Sequence, residues 1–196
     1  MVGANSEAGL ASRPIRIILA DEIDRYPPSA GAEGDPLSLA IKRTRTIWNR
    51  RIVMVLTPTI KGISRIEQEW ERLDDRLYYV GCTHCGHKKS LSWGHVKWPD
   101  GKPEEANVHC EDCGARWSEA ERLVAILWGV WRATSDEGSQ VGFHINEITS
   151  PWAMPAQMAV DFLKAKGSPE QLKMWVNTSL GLPWEERSEG VVMLMH

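Results

Sequence analysis

Four cysteines stand in two pairs whose spacing is typical of a metal site. Each pair has the pattern CxxCG, and 24 residues separate Cys82 and Cys85 from Cys110 and Cys113. In such a motif a tight turn points both thiolates at one ion, and the glycine that follows tolerates the positive φ of that turn. Gly86 and Gly114 occupy these positions. Together the pairs predict a tetrahedral Zn²⁺ site with four sulfur ligands.

Three alternatives use the same residues. The cysteines could form disulfides, although a reducing cytosol disfavours them. One pair could be a thioredoxin-like redox motif, but the second CxxC would then be unexplained. A neighbouring histidine could also replace one cysteine, and the candidates are His84, His87 and His109. Because four thiolates already fill the coordination shell, the pattern favours the four-sulfur site.

A second candidate site lies where an apolar segment meets two acidic residues. Residues 15–20 are almost continuously apolar, which is typical of a buried parallel strand, and Asp21 and Glu22 follow them. In nucleotide-hydrolysing α/β sheets, an Asp at this strand end holds Mg²⁺ and the next Glu activates the attacking water. This is the Walker B arrangement. The alternative is a strand that ends in a solvated acidic turn.

A second apolar segment supports the nucleotide hypothesis. Residues 52–56 also predict a buried strand, and Thr57 and Thr59 follow it. Hydroxyl groups at the end of a neighbouring strand can sense the γ-phosphate of a nucleotide.

The elements between and after these strands predict an α/β fold. Asp35 and Pro36 begin a helix that we expect to extend to about residue 51. Ser64 and Glu67 form a capping box that opens the next helix. Strand, helix, strand and helix in this order predict a parallel sheet.

Two faces are predicted for the helix of residues 36–51. The core face comprises Leu37, Ala40, Ile41, Thr44, Ile47 and Trp48. The remainder carries Lys42, Arg43, Arg45, Arg50 and Arg51. This basic face could be a track for DNA or a solvated surface, and the formal net charge of −3 favours the solvated surface.

Within residues 78–117, short segments with an alternating apolar and polar pattern surround the cysteines. The core that they can form is too small to fold without its metal. Beyond them, Ser118 and Glu121 form a capping box that opens a short helix. Strands are expected in GVWRAT and QVGFHINEI. Two more helices are predicted, one over residues 155–166 that ends at Gly167, and one from Ser168 to Gly181.

Composition limits the class of protein. The chain has 196 residues, 42% hydrophobic and 25% charged, which excludes a disordered or collagenous chain. No apolar segment is long enough to span a membrane, and the N-terminus lacks the pattern of a signal peptide. We therefore expect a soluble, cytoplasmic protein. The ten tryptophans are expected in the core and at its edges.

Several segments in register resemble one family. They are GANSEAGLASRPIRIILADEIDRYP, EGDPLSLAIKRT, VLTPTIKGISRIEQEW, YYVGCTHCGH and the stretch from GFHINEITSPW to VNTSLGLPWEE. Over residues 3–186 the chain resembles the GpA-type large terminase subunit of lambda-like bacteriophages.

The resemblance implies part of an ATP-driven motor that packages phage DNA. The family combines an N-terminal P-loop ATPase with a C-terminal metal-dependent endonuclease. Its partners are double-stranded phage DNA, a small terminase subunit and the capsid portal, with homo-oligomers possible and no membrane involved. The cofactors would be Mg-ATP and a structural zinc ion, and the location would be the cytoplasm of a bacterial host, with the gene carried by a phage or prophage.

The resemblance also assigns roles to individual residues. Asp21 matches the Walker B acid that holds Mg²⁺, and Glu22 matches the catalytic acid. Thr57 and Thr59 match the coupling motif, which links hydrolysis to movement.

The sequence departs from the family pattern at both ends. It contains no GxxxxGK[ST] motif, and Lys89 is the only lysine followed by Ser or Thr. We therefore expect a fragment without the P-loop half and without the nuclease, and incapable of ATP hydrolysis alone. Its expected parts are the back half of the ATPase domain (1–77), a zinc ribbon (78–117), the remaining ATPase region with a linker toward the nuclease (118–186) and an unaligned tail (187–196).

Two further expectations follow. A half-sheet of this kind should leave one side bare and favour self-association. The rival hypothesis is a non-enzymatic zinc-ribbon module that binds DNA or a protein, in which Asp21 and Glu22 are merely structural.

Overall fold

The structure is a computed structural model that describes residues 3–6, 9–10, 13–62, 64, 73–136, 138 and 140–185. Its contacts divide the chain into two units. The first comprises Met1–Pro58 and Ser64–Ile66, and the second comprises Thr59–Ile63 and Glu67–His196. Within the described part of the chain, no helix is long and apolar enough to cross a membrane.

The first unit contains a parallel pair of strands. Strand β1 (Ile17–Asp21) and strand β2 (Arg51–Val55) run side by side, in register from Ile17 opposite Arg51 to Asp21 opposite Val55. Helix α1 (Pro36–Lys42) lies between them in the chain. The two predicted strands and their parallel arrangement are confirmed, with boundaries shifted by one or two residues.

Helix α1 begins as predicted but is much shorter than predicted. The Asp35 carboxylate accepts a hydrogen bond from the Ser38 amide at 2.8 Å, so it is the N-cap. The expected extension to residue 51 is wrong, because residues 43–46 form turns. The Thr44 hydroxyl donates to the Ile41 carbonyl at 2.8 Å, and such side-chain bonds compete with the helical ladder.

The early end of α1 corrects its predicted faces only in part. The predicted core position is confirmed for Leu37, Ala40 and Ile41, which lie in or against the core of the first unit. Trp48, expected on the core side, is 94% exposed. Arg50 precedes β2 and Arg51 lies in it, so the basic residues do not share one helix face. Neither the predicted helical DNA track nor the predicted solvated helix face forms.

One face of the β1–β2 pair is exposed, as the sequence predicted. Ile18 and Ala20 point into the core of the first unit, whereas Leu19 is 76% exposed. The exposed apolar side chains of this face are Ile17, Leu19, Val53 and Val55. An apolar face of this kind on a two-stranded sheet favours self-association.

Replacing Leu19 by Lys should therefore reduce self-association at little cost in stability. We expect the wild-type chain to be oligomeric or poorly soluble, and Leu19→Lys to lower the scattered mass while changing the free energy of unfolding by less than about 0.5 kcal/mol. Light scattering and urea unfolding measure the two quantities. Ile18→Lys is the matched control, since it buries a charge and should cost more than about 3 kcal/mol. A clean wild-type monomer at high concentration would contradict the prediction.

The second unit is built around strand β3 (Arg76–Gly81). Strand β4 (Lys88–Ser90) and strand β7 (Val130–Ala133) pair with it in antiparallel orientation, and strand β8 (Phe143–His144) pairs with it in parallel. Strands β5 (Val96–Lys97) and β6 (Asn107–Val108) form a separate antiparallel pair. The predicted strand in QVGFHINEI is therefore limited to the two residues of β8.

Three helices complete the second unit. Helix α2 (Glu119–Leu127) begins at the predicted capping box of Ser118 and Glu121. Helix α3 is Pro155–Ala165, and helix α4 is Pro169–Trp175. A π-helical turn, Val176–Leu180, continues α4 and ends where Gly181 has a φ of 64°. The predicted helix that begins at Ser64 and the predicted tail of residues 187–196 lie outside the described residues, apart from Ser64 itself.

An aromatic cluster joins the cysteine segment to helices α3 and α4. Trp93 lies 4.7 Å from Trp175 and 5.3 Å from Phe162, measured between ring centroids. Trp98 lies 5.8 Å from Trp93. Since Trp93 and Trp98 come from residues 78–117, this segment shares one buried core with the helices. The predicted core position is confirmed for these tryptophans, but it is wrong for Trp128 and Trp152, which are 77% and 91% exposed.

Candidate functional site

The two cysteine pairs lie on two turns of the same shape. In the first turn the Gly86 amide donates to the Cys82 carbonyl at 2.9 Å, and in the second the Gly114 amide donates to the Cys110 carbonyl at 3.0 Å. Gly86 has a φ of 76° and Gly114 a φ of 71°. The predicted left-handed glycines are confirmed, and each turn aims its two thiol groups to the same side.

The four sulfur atoms form one compact cluster. The Sγ atoms of Cys82 and Cys113 are 3.9 Å apart, and those of Cys85 and Cys110 are 3.8 Å apart. All four lie within 4.8 Å of one another. Tetrahedral ligands at the usual Zn–S distance would be separated by about 3.8 Å. The donor set therefore fits one metal ion, and the four free cysteines exclude the disulfide alternative.

The thiol groups influence one another's ionisation. Burial raises the pKa of Cys82, but amide hydrogen bonds from Cys85 and His84 outweigh burial and hold the pKa at about 6. At Cys85 the His87 amide lowers the pKa, yet burial and the neighbouring sulfurs raise it to about 12. Burial and hydrogen bonds to the neighbouring sulfurs thus oppose ionisation of Cys85, and a bound cation would favour it.

The histidines beside the turns do not join the cluster. Among the described residues, the four cysteines alone form this group of close metal-binding side chains. His84 Nε2 lies 2.9 Å from a Glu121 carboxylate oxygen, and His87 Nε2 lies 3.3 Å from one of Glu111. His109 stands outside the group as well, so the structure does not favour histidine as a replacement ligand.

Glu111 lies between the two cysteines of the second turn, and its carboxylate contacts three basic side chains. Its Oε1 lies 2.9 Å from Lys89 Nζ and 3.3 Å from His87 Nε2, and its Oε2 lies 3.3 Å from His95 Nε2. The hydrogen bond from Lys89 is the main cause that lowers the pKa of Glu111 to about 2, and His87 and His95 lower it further by smaller amounts. Sequence analysis missed this cluster, because its members come from separate segments and follow no motif.

The acidic pair lies at the carboxyl end of the parallel strands. Asp21 is the last residue of β1 and is exposed, opposite Val55. Glu22 follows with a φ of 53°, and its amide donates to the Val55 carbonyl at 2.8 Å. One Glu22 carboxylate oxygen lies 3.2 Å from Arg25 Nε. Both acidic residues thus lie at the carboxyl end of the parallel strands, with Glu22 paired to Arg25.

The two threonines of the predicted coupling motif belong to different units. Thr57 lies two residues beyond β2. It belongs to the first unit, which also contains Asp21 and Glu22. Thr59 lies in the second unit, where its carbonyl accepts hydrogen bonds from the Trp184 amide at 2.9 Å and from Asn177 Nδ2 at 3.1 Å.

Arg122 is a buried charge that sequence analysis also missed. Its side chain in α2 is 1% exposed and donates to both carboxylate oxygens of Glu119, at 2.8 and 2.6 Å. It also donates to three backbone carbonyls, those of Ile148, Ser150 and Ala153. One guanidinium group thus fixes the chain between residues 148 and 153.

Two family models match the chain. The model of the phage terminase large subunit gpA ATPase domain matches residues 1–131, and the model of the terminase large subunit gpA endonuclease domain matches residues 140–193. The second match begins within the segment that the sequence analysis assigned to the ATPase region and linker.

Two curated proteins are similar to most of the chain. The large terminase subunit of Enterobacteria phage P21 is 30% identical over 210 residues, covering 94% of this chain and 33% of that protein. The large terminase subunit of Escherichia phage lambda is 27% identical, covering 98% of this chain and 34% of that protein. The chain thus spans about one third of the length of these relatives. No solved structure matches.

Proposed function

The chain belongs to the family of gpA-type phage terminase large subunits, as its sequence resemblance indicated, and from this premise we propose a role in ATP-driven packaging of phage DNA. In this proposal it works on double-stranded phage DNA with a small terminase subunit and the portal, in the cytoplasm of the host. The observation that carries the proposal is the match of the ATPase-domain model to residues 1–131, which contain the acidic edge of the parallel strands.

The acidic edge supports a Walker B role. In this proposal Asp21, which is exposed at the end of β1, would hold the Mg²⁺ that neutralises charge on the phosphates of a bound nucleotide. In the same proposal Glu22, which is paired with Arg25 in this structure, would accept a proton from the attacking water after that contact opens. Thr57, which follows β2, would contact the γ-phosphate and lose that contact after hydrolysis. Thr59 would then move with it and shift the residues that follow.

The chain alone should hydrolyse ATP only at background rate. It contains no GxxxxGK[ST] motif, so the backbone amides and the lysine that hold the phosphates have no counterpart in these 196 residues. A fusion that supplies a phosphate-binding loop upstream should hydrolyse ATP, measured by phosphate release. In that fusion Glu22→Gln should abolish turnover and leave ATP binding largely intact.

The control for that experiment is Glu33→Gln, which removes an exposed carboxylate from a loop. It should leave turnover unchanged. Robust hydrolysis by the 196-residue chain, lost in Glu22→Gln, would contradict the prediction. An inactive fusion with an intact fold would favour the rival hypothesis of a zinc-ribbon module that binds DNA or protein.

We also propose that Cys82, Cys85, Cys110 and Cys113 hold one structural Zn²⁺. The sulfur separations fit a tetrahedral shell. Four protein ligands leave no open position for substrate or water, so the ion would stabilise the fold and take no part in hydrolysis. In this scheme residues 78–117 are a zinc ribbon that follows the back half of the ATPase domain (1–77). Residues 118–186 are the remaining ATPase region and the segment toward the nuclease, and residues 187–196 are a tail. The endonuclease-domain model matches the chain from residue 140 onward.

A further inference from the structure

We propose that Glu111 is a positioning residue that holds the second cysteine turn in place for metal capture. The proposal rests on the proposed zinc site and adds a residue that binds no metal itself. Glu111 lies in the middle of the second turn, between Cys110 and Cys113. Its carboxylate contacts Lys89, His87 and His95, which all precede that turn in the chain.

These contacts connect the second turn to the first. Each turn closes backbone hydrogen bonds within itself, such as Gly86 to Cys82 and Gly114 to Cys110. Such bonds fix the shape of a turn but not its distance from the other turn. His87 leaves the first turn and Lys89 lies in β4, so the Glu111 carboxylate spans the gap between the turns.

The third contact is to a side chain that is itself held in place. His95 is 8% exposed, and its Nδ1 accepts a hydrogen bond from the Ser92 amide at 3.0 Å. Nδ1 also lies 3.0 Å from the Ser92 hydroxyl oxygen and 3.2 Å from the Ser92 carbonyl oxygen, so Ser92 holds the ring in place. The other ring nitrogen, Nε2, lies 3.3 Å from Glu111 Oε2. The contact therefore joins a buried, fixed ring before the second turn to the carboxylate on that turn.

Glu111 differs from the neighbouring carboxylate in the same turn. Asp112 is also exposed and also lies between the cysteines, but within the described residues it makes no side-chain hydrogen bond or ion pair. Glu111→Gln and Asp112→Asn remove the same charge at adjacent positions. Simple attraction of a cation to negative charge predicts similar losses in the two variants, whereas positioning predicts a loss in Glu111→Gln alone.

Removing the charge of Lys89 should change the zinc affinity in opposite directions under the two explanations, electrostatic attraction and positioning. Lys89 lines the same cavity as Cys82 and Cys110. Removing this positive charge should tighten cation binding if electrostatic attraction dominates. If Lys89 instead fixes Glu111, Lys89→Met should weaken metal binding. The side chain is about half exposed, so the substitution should leave the fold intact.

The experiment measures Zn²⁺ affinity of the full chain at neutral pH, by competition with a chromophoric chelator. We expect Glu111→Gln to bind zinc 10- to 100-fold more weakly than wild type, the usual effect of losing a partner that orients the ligands. Lys89→Met should also bind more weakly, and Asp112→Asn should stay within about threefold of wild type. At saturating Co²⁺ all variants should show the same absorption bands, since the four sulfur ligands are unchanged.

The outcomes separate this proposal from the zinc site itself. A wild-type chain that binds no zinc would overturn the proposed site. Zinc binding by wild type with an unchanged affinity in Glu111→Gln would overturn the positioning role alone. Equal losses in Glu111→Gln and Asp112→Asn, or tighter binding by Lys89→Met, would also overturn that role and assign the effect to charge.

Discussion

Removing the metal with a strong chelator is expected to unfold residues 78–117. A structural four-sulfur zinc site contributes about 10–16 kcal/mol of apparent binding free energy at neutral pH, more than a small core supplies. Since Trp93 and Trp98 pack against Phe162 and Trp175, helices α3 and α4 should loosen as well. Near-UV circular dichroism of the tryptophans would follow the loss, and metal analysis should find one zinc per chain beforehand.

Single substitutions distinguish coordination from packing. Cys113 is exposed, so Cys113→Ser removes little buried surface and should nevertheless abolish stable metal binding. Thr83→Ser, an exposed change in the other turn, should have no effect. Well under one zinc per purified chain, together with thiols that alkylate freely, would refute the site.

The second large effect is expected at Arg122. Arg122→Met should lower the free energy of unfolding by about 3–5 kcal/mol, because Glu119 and three backbone carbonyls lose their donor. Arg122→Lys should recover only part of the loss, since an ammonium group cannot reproduce the five-donor fork. Urea unfolding of the metal-loaded chain measures both.

Arg132→Met is the control for Arg122. Arg132 is exposed, and its guanidinium carbon lies 5.4 Å from the centre of the Tyr79 ring. Losing that contact should cost about 0.5–1 kcal/mol. If the two methionine variants were equally stable, the hydrogen bonds of Arg122 would not hold the segment from residue 148 to residue 153.

Local signals made the first strands, the helix starts and the cysteine turns predictable from the sequence. An apolar segment identifies β1, an Asp–Pro pair identifies the start of α1, and CxxCG fixes the shape of each turn within five residues. The Walker B role of Asp21 and Glu22 stays a prediction, because the structure gives their position at a strand end and not their chemistry.

Long-range contacts account for what the sequence did not reveal. Glu111 reaches partners 16 and 24 residues away, and Arg122 reaches carbonyls 26 to 31 residues away. These sequence separations do not match the repeat of a helix or a strand, so no pattern in the sequence indicates the partners. The end of α1 was missed for another reason, since weak helix formers such as Thr44 let a turn compete with the predicted helical pattern.

The aromatic cluster also sets an order of events during synthesis. All four cysteines precede Trp175, so they leave the ribosome before the last ring of the cluster. The interval of about 60 residues corresponds to about 3–12 s of translation. Trp93 and Trp98 lack their helical cover during that time. If the proposed site binds zinc, metal capture would be the earlier event that holds residues 78–117 in shape. Cells short of zinc should therefore accumulate aggregated nascent chains.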